Sequence, residues 1–144
     1  MRLIFLFLFS LNLFSFDIDD LRTSFEKDGA FVAGKILTKL NNGLHFLEKE
    51  RDFQNTLLIA IHGRGTEGYE WVYPLINLDK KNNRLSFYRW NTIGCPNEAI
   101  RKISSEIDRL KERYKKIVLV GHSYGGLVVS KILTDDFDSK VEGH

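Results

Sequence analysis

The stretch Ile117 to Val129, reading I-V-L-V-G-H-S-Y-G-G-L-V-V, constrains the fold more than any other part of the chain. Its start, Ile117 to Val120, has the β-branched character of a buried strand, and the apolar residues after Gly126 suit a helix. Between them Gly121-His122-Ser123-Tyr124-Gly125 fits Gly-x-Ser-x-Gly. A strand that becomes a helix within so few residues turns sharply, and side chains beside the turn would strike neighbouring backbone, which is the reason for Gly121 and Gly125. The pattern reads as a nucleophile elbow. It would hold the Ser123 hydroxyl above the carboxyl end of a sheet, with the positive end of the next helix beneath it.

The remainder of the chain is read for a sheet that can carry such a turn. Thr56 to Ile61 (T-L-L-I-A-I) is an unbroken apolar run, expected to be a strand covered on both faces, and it leads into His62-Gly63-Arg64-Gly65. Thr66 to Leu78 places Trp71, Leu75 and Leu78 at helical spacing, with Pro74 expected to kink or end the helix. Asp79 to Arg84 is polar and reads as a turn before the aromatic strand Leu85 to Trp90. From Glu98, residues Ile100, Ile103, Ile107, Leu110 and Tyr114 follow the three-and-four spacing of one helix face. Asp17 to Gly34 shows no clear period. Lys35 to Leu40 and Leu44 to Glu48 flank Asn41-Asn42-Gly43, and this pair of runs is expected to form an antiparallel hairpin at the sheet edge. Strands alternating with helices argue for right-handed crossovers and a mainly parallel sheet with helices on both faces.

The 144 residues, 43% of them hydrophobic, suffice for one domain with a real core and exclude a multi-domain chain. With 21 Lys and Arg against 19 Asp and Glu, interspersed, there is no basic face of the kind nucleic acid requires. The single cysteine, Cys95, excludes an internal disulfide or a thiolate metal cluster within the chain and reads as a half-buried loop thiol. Met1-Arg2 precedes an apolar run from Leu3 to Phe16, after which the chain turns acidic. Residues 1–16 therefore read as a signal peptide or an N-terminal membrane tether, the protein as exported (periplasmic, secreted or membrane-tethered), and residues 17–144 as the folded domain.

Ile61-His62-Gly63-Arg64-Gly65 together with Gly121-His122-Ser123-Tyr124-Gly125-Gly126 resembles the α/β-hydrolase superfamily, in particular its lipase and esterase-like members, over roughly Thr56 to Leu133. The resemblance implies the N-terminal portion of such a domain, with Ser123 as nucleophile attacking an ester or lipid substrate and with no cofactor or metal. It also implies an oxyanion hole built from two backbone amides, those of Tyr124 and Arg64. In that family His62 and His122 mostly shape the loops. A formal rival is the match of Gly63 to Gly68 to G-x-G-x-x-G, but a dinucleotide loop wants an acidic residue at the tip of the next strand, where this chain has Arg89-Trp90-Asn91.

The resemblance places the triad carboxylate and histidine after the serine, and here Asp135, Asp136, Asp138, Glu142 and His144 are all that follow. A helix from Tyr124 to about Leu133 would descend roughly 15 Å, leaving those acids at the far edge of the sheet. A further strand would begin near Val141, too late to return to the active face before His144. The expectation is an α/β-hydrolase-like domain truncated after the elbow helix, inactive alone, with acid and base supplied by a complementing C-terminal segment or lost. The alternative is a non-catalytic binding or interaction module.

Overall fold

The structure is a computed structural model that describes residues 16–80, 82–135 and 141–143. Helix α1 (Ile18–Thr38) begins at a reciprocal cap: the Asp17 carboxylate accepts the amides of Asp19 and Asp20, and the Asp20 carboxylate accepts the amide of Asp17. Gly29 interrupts the helix at φ 81°, ψ 176°, so the hydrophobic period is broken midway and no single stripe was visible in the sequence. There follow β1 (Gly43–Phe46), β2 (Thr56–Ile61), a 3-10 turn at Tyr69–Trp71 running into α2 (Val72–Leu78), and β3 (Asn83–Arg89). Helix α3 (Asn97–Leu110), β4 (Lys116–Gly121), α4 (Tyr124–Asp135) and β5 (Val141–Gly143) complete the order.

The sheet runs β1-β3-β2-β4-β5 and is parallel except for β1. Side chains alternate across it. Leu57, Ile59 and Ile61 of β2 pack with Ile117 and Leu119 of β4 against α3 and α4, through Ile100, Ile103, Ile107, Val128, Val129 and Ile132. Leu58 and Ala60 face the other way, with Leu85 and Phe87 of β3, against Leu21, Ala33 and Leu37 of α1 and Val72 and Leu75 of α2. Both faces of β2 are therefore dry, as its unbroken apolar run requires. The whole is an α/β fold with a mixed, mostly parallel sheet flanked by helices, consistent with an α/β-hydrolase-like arrangement.

Three expectations are corrected. Lys35 to Leu40 is not a hairpin strand: its first part closes α1, because Asp17 starts a helix that buries Leu37, and β1 finds its antiparallel partner in β3 instead. Pro74 neither ends nor kinks a helix but sits in the first turn of α2, where an amide would lack an intrahelical acceptor anyway. Membrane association through residues 1–16 is corrected by the helices themselves: among the described residues none is long and apolar enough to cross a membrane. The longest, α1, carries Asp19, Asp20, Arg22, Glu26, Lys27 and Asp28 in its first half. The leader residues 1–15, with Asp136, Asp138 and His144, lie outside the described residues. A strand at Val141–Gly143 does lie beside β4, parallel to it.

Candidate active site

The strand order places the site. β2 hands the chain to α2 on one face and β4 hands it to α4 on the other, so the connections leaving two neighbouring strands part at their carboxyl ends. Such a switch point is where open α/β sheets form a crevice. The register aligns Ile61 with Gly121, so the residues just beyond, His62-Gly63 and His122-Ser123, must meet. His122 donates its amide to the Ile61 carbonyl at 3.2 Å and fastens the two ends together.

Ser123 is exposed and holds φ 53°, a left-handed conformation that costs a non-glycine residue on the order of 1–2 kcal/mol. The turn is tightened by Gly125 N to His122 O and Gly126 N to Ser123 O, both 2.9 Å. Its closeness accounts for the flanking glycines: a Cβ on Gly121 would fall 2.5 Å from the Gly125 carbonyl carbon, and one on Gly125 would fall 2.3 Å from the Ile61 carbonyl oxygen. Tyr124 is the first residue of α4, so its amide has no acceptor within the helix. Gly63 packs directly on this turn; a Cβ there would lie 3.1 Å from Ser123 Cβ and 2.8 Å from the His122 carbonyl oxygen. Ser123, Tyr124, Gly121 and Gly125 are thus gathered with the loop that bears Arg64, whose side chain is exposed.

The loop is held from beneath by His62, which is fully buried. Its Nε2 receives the Trp90 amide at 3.1 Å and the Arg89 guanidinium at 3.1 Å, and since both can only donate, Nε2 carries no proton. Nδ1–H is then the donor to the Gly63 carbonyl, at 2.8 Å. Burial drives the imidazole pKa below its ordinary value, aided by the Arg89 charge and opposed by the bond to Gly63, so the ring is neutral at pH 7. Fixing the Gly63 carbonyl also fixes the amide of Arg64, because the two share one planar trans peptide and point opposite ways.

Glu70 holds the loop from the other side. It accepts the amides of Gly63 at 2.8 Å and Gly68 at 3.0 Å, and it stands 3.5 Å from His122 Nδ1. Burial pushes this carboxyl up, but the amides outweigh it and its pKa lies below the ordinary range, so it is ionised. Arg89 pairs with Glu67 at 3.2 Å and links the loop to β3. Sequence reasoning missed the roles of Glu70, Glu67 and Arg89: Glu70 sits at no motif position, Glu67 and Arg89 entered only the comparison with a dinucleotide loop, and their spacing carries no period.

Tyr88 and Trp90, at the carboxyl end of β3, are core residues, each 2% exposed, and both also line the groove beside them. The Tyr88 hydroxyl donates to the Ala99 carbonyl, and burial, with Glu106 and Glu98 nearby, raises its pKa to about 12. Trp90 also packs on the Tyr124 ring, 5.2 Å between centroids. Beyond it opens a groove of about 500 Å³, lined by Arg89, Asn91, Ile93, Glu98 and Lys102 among others. Cys95, at its rim, is exposed rather than half-buried. Among the described residues no cluster of three His, Cys, Asp or Glu could hold a metal ion. His45 is engaged with the Asn41 carbonyl beside β1.

A family model described as a PGAP1-like alpha/beta domain matches residues 91–142. No curated protein matches the chain. The match agrees with a hydrolase-like α/β fold and with a general lipase and esterase family association, and it corrects the expected resemblance in one respect: it falls on the C-terminal part of the chain, residues 91–142, where the N-terminal portion of such a domain was expected over Thr56 to Leu133. It takes in α3, β4, the Ser123 turn and α4, and leaves out β2 and the loop at Gly63.

Proposed function

We propose that this domain is a serine-dependent acyl hydrolase fold in which Ser123 is the nucleophile and the amides of Tyr124 and Arg64 receive the oxyanion. The observation that carries the reading is the contact between Gly63 and Ser123 across the switch point. It brings a left-handed serine at a helix N-terminus and a two-sided, anchored loop to one place. In the reaction the Ser123 hydroxyl gives its proton to a base as its oxygen bonds to an ester carbonyl carbon, the carbonyl oxygen becomes an oxyanion facing the two amides, and the leaving alkoxide takes up that proton and departs as an alcohol while the carbonyl re-forms. Water then releases the acid from the serine. Each amide donor is worth about 3 kcal/mol of transition-state stabilisation in enzymes of this kind.

Attack also requires a base. His62 cannot serve, since Nε2 is held by two donors and Nδ1–H by Gly63. The His122 ring faces Glu70, its Nδ1 3.5 Å from that carboxylate; among the described residues no histidine follows Ser123, and Glu70 faces loop amides rather than the serine hydroxyl. The reading therefore assigns the triad base and its carboxylate to none of the described residues. A hydrolase stripped of a triad member still keeps roughly 10³- to 10⁴-fold catalysis over water through its oxyanion hole and binding. The test is reaction with a fluorophosphonate probe, read by intact mass and peptide mapping. Slow, stoichiometric modification of Ser123, lost in Ser123→Ala, is expected. No modification after long exposure would make the domain a non-catalytic binding module, and brisk ester turnover would refute the absence of a base.

A further inference from the structure

We propose that Glu70 is the positioning residue of this site, its carboxylate clamping the 63–68 loop onto the Ser123 turn. The catalytic consequence rests on the reading of Ser123 as nucleophile, while the clamp stands on its own geometry. Glu70 lies in the 3-10 turn Tyr69–Trp71 and its side chain, 11% exposed, folds back under the loop. One oxygen accepts the Gly63 amide, the other the Gly68 amide, and the first also faces His122 Nδ1. One charge thus spans the residue after His62, the residue that turns the chain into the 3-10 helix at φ 126°, and the neighbour of Ser123. The other charged or titratable groups around it are His62 below, and Glu67 and Arg89, which pair with each other.

The consequence follows from peptide geometry. Gly63, like Gly65 and Gly68 in the same loop, has no Cβ to restrict its dihedrals, yet the peptide before it is pinned through its N–H by Glu70 and the peptide after it through its C=O by His62. With both planes fixed, φ and ψ of Gly63 are fixed, and so is the direction of the Arg64 amide. Hydrogen bonds to an ionised acceptor are roughly twice as strong as neutral ones. Without the carboxylate, the buried Gly63 amide has no acceptor and the loop must move to find one.

The experiment has two arms on the full chain. In the first, amide spectra are recorded between pH 7 and pH 3: the Gly63 and Gly68 protons should move upfield together, with one shared midpoint below the ordinary carboxylate range. Where acid unfolds the chain first, Glu70→Gln at pH 7 gives the same reading, both protons moving upfield at once. Separate behaviour, or none, refutes the clamp whatever Ser123 does. In the second, fluorophosphonate labelling of Ser123 is compared in the wild type and in Glu70→Gln. At least a tenfold fall is expected in the maximal labelling rate, with the half-saturating probe concentration unchanged; equal rates refute the positioning role. A wild type that takes no label refutes the nucleophile reading instead, and the amide arm still decides the clamp.

Discussion

Trp90 grips His62 twice, donating its backbone amide to the imidazole Nε2 at 3.1 Å and its indole N–H to the His62 carbonyl at 3.0 Å. The carboxyl ends of β2 and β3 are thereby locked together, and the ring is kept neutral with its proton on the side of Gly63.

Stability should therefore depend on pH through His62. Its folded pKa is depressed below the ordinary 6.5, so between the two values the unfolded chain binds more protons than the folded one. The contribution is complete above about pH 6.5 and is lost as pH falls towards the folded value, by at most about 1.4 kcal/mol per pH unit for one proton. Urea melts from pH 7.5 to 5 should show this slope. Replacing His62 by Gln should flatten it while lowering stability by about 1–3 kcal/mol.

Ser123 is expected to trade stability for position. At φ 53°, Ser123→Gly should raise the unfolding free energy by about 1 kcal/mol while abolishing fluorophosphonate labelling. Ser123→Ala should abolish labelling without that gain. A glycine variant no more stable than the alanine one would show that the turn is not strained.

Two adjacent glycines should behave oppositely. A methyl at Gly125 meets the Ile61 carbonyl oxygen at 2.3 Å, so Gly125→Ala must separate β2 from the turn and cost about 3 kcal/mol, the upper end of the usual range for overpacked cores. At Gly126 the nearest atom would be 3.6 Å away, and alanine there should stabilise α4 by about 0.5–1 kcal/mol. Thermal melts of the pair decide it.

The start of α1 gives a control remote from the site. Asp17→Ala removes the acceptor for two helix amides and should cost about 1 kcal/mol in a urea melt. Labelling of Ser123 should be unaffected, since Asp17 caps the end of α1 away from Phe31, Gly34 and Leu37, the residues by which the helix meets Gly68 and Tyr69.

The parts of this molecule that the sequence disclosed are those governed by one local rule. The β2 run is apolar on both sides because two helical layers cover it, and α3 shows its buried stripe of Ile100, Ile103 and Ile107 in plain periodicity. The α1 helix was hidden because Gly29 breaks its phase, and the Asn-Gly pair at Asn42-Gly43 imitated a hairpin whose partner lies more than forty residues on, in β3. In the site, Ser123 and the Gly63 loop were legible through their glycines. Glu70 was not, because a carboxylate that caps a loop from within it leaves no spacing to read; only the fold shows that Gly63, Gly68 and His122 converge on it.

The separation of the two hydrophobic layers by the sheet has an evolutionary corollary. The Gly63 loop leads into an element seated in one layer and the Ser123 turn leads into an element seated in the other, and the two meet along the ridge of β2 and β4, where Gly63 and Glu70 adjoin the turn. Substitutions that remodel what lies beneath α4 need not disturb what lies beneath α2. Each wall of the crevice can drift in sequence under its own packing constraints, provided that the few backbone contacts along that ridge survive.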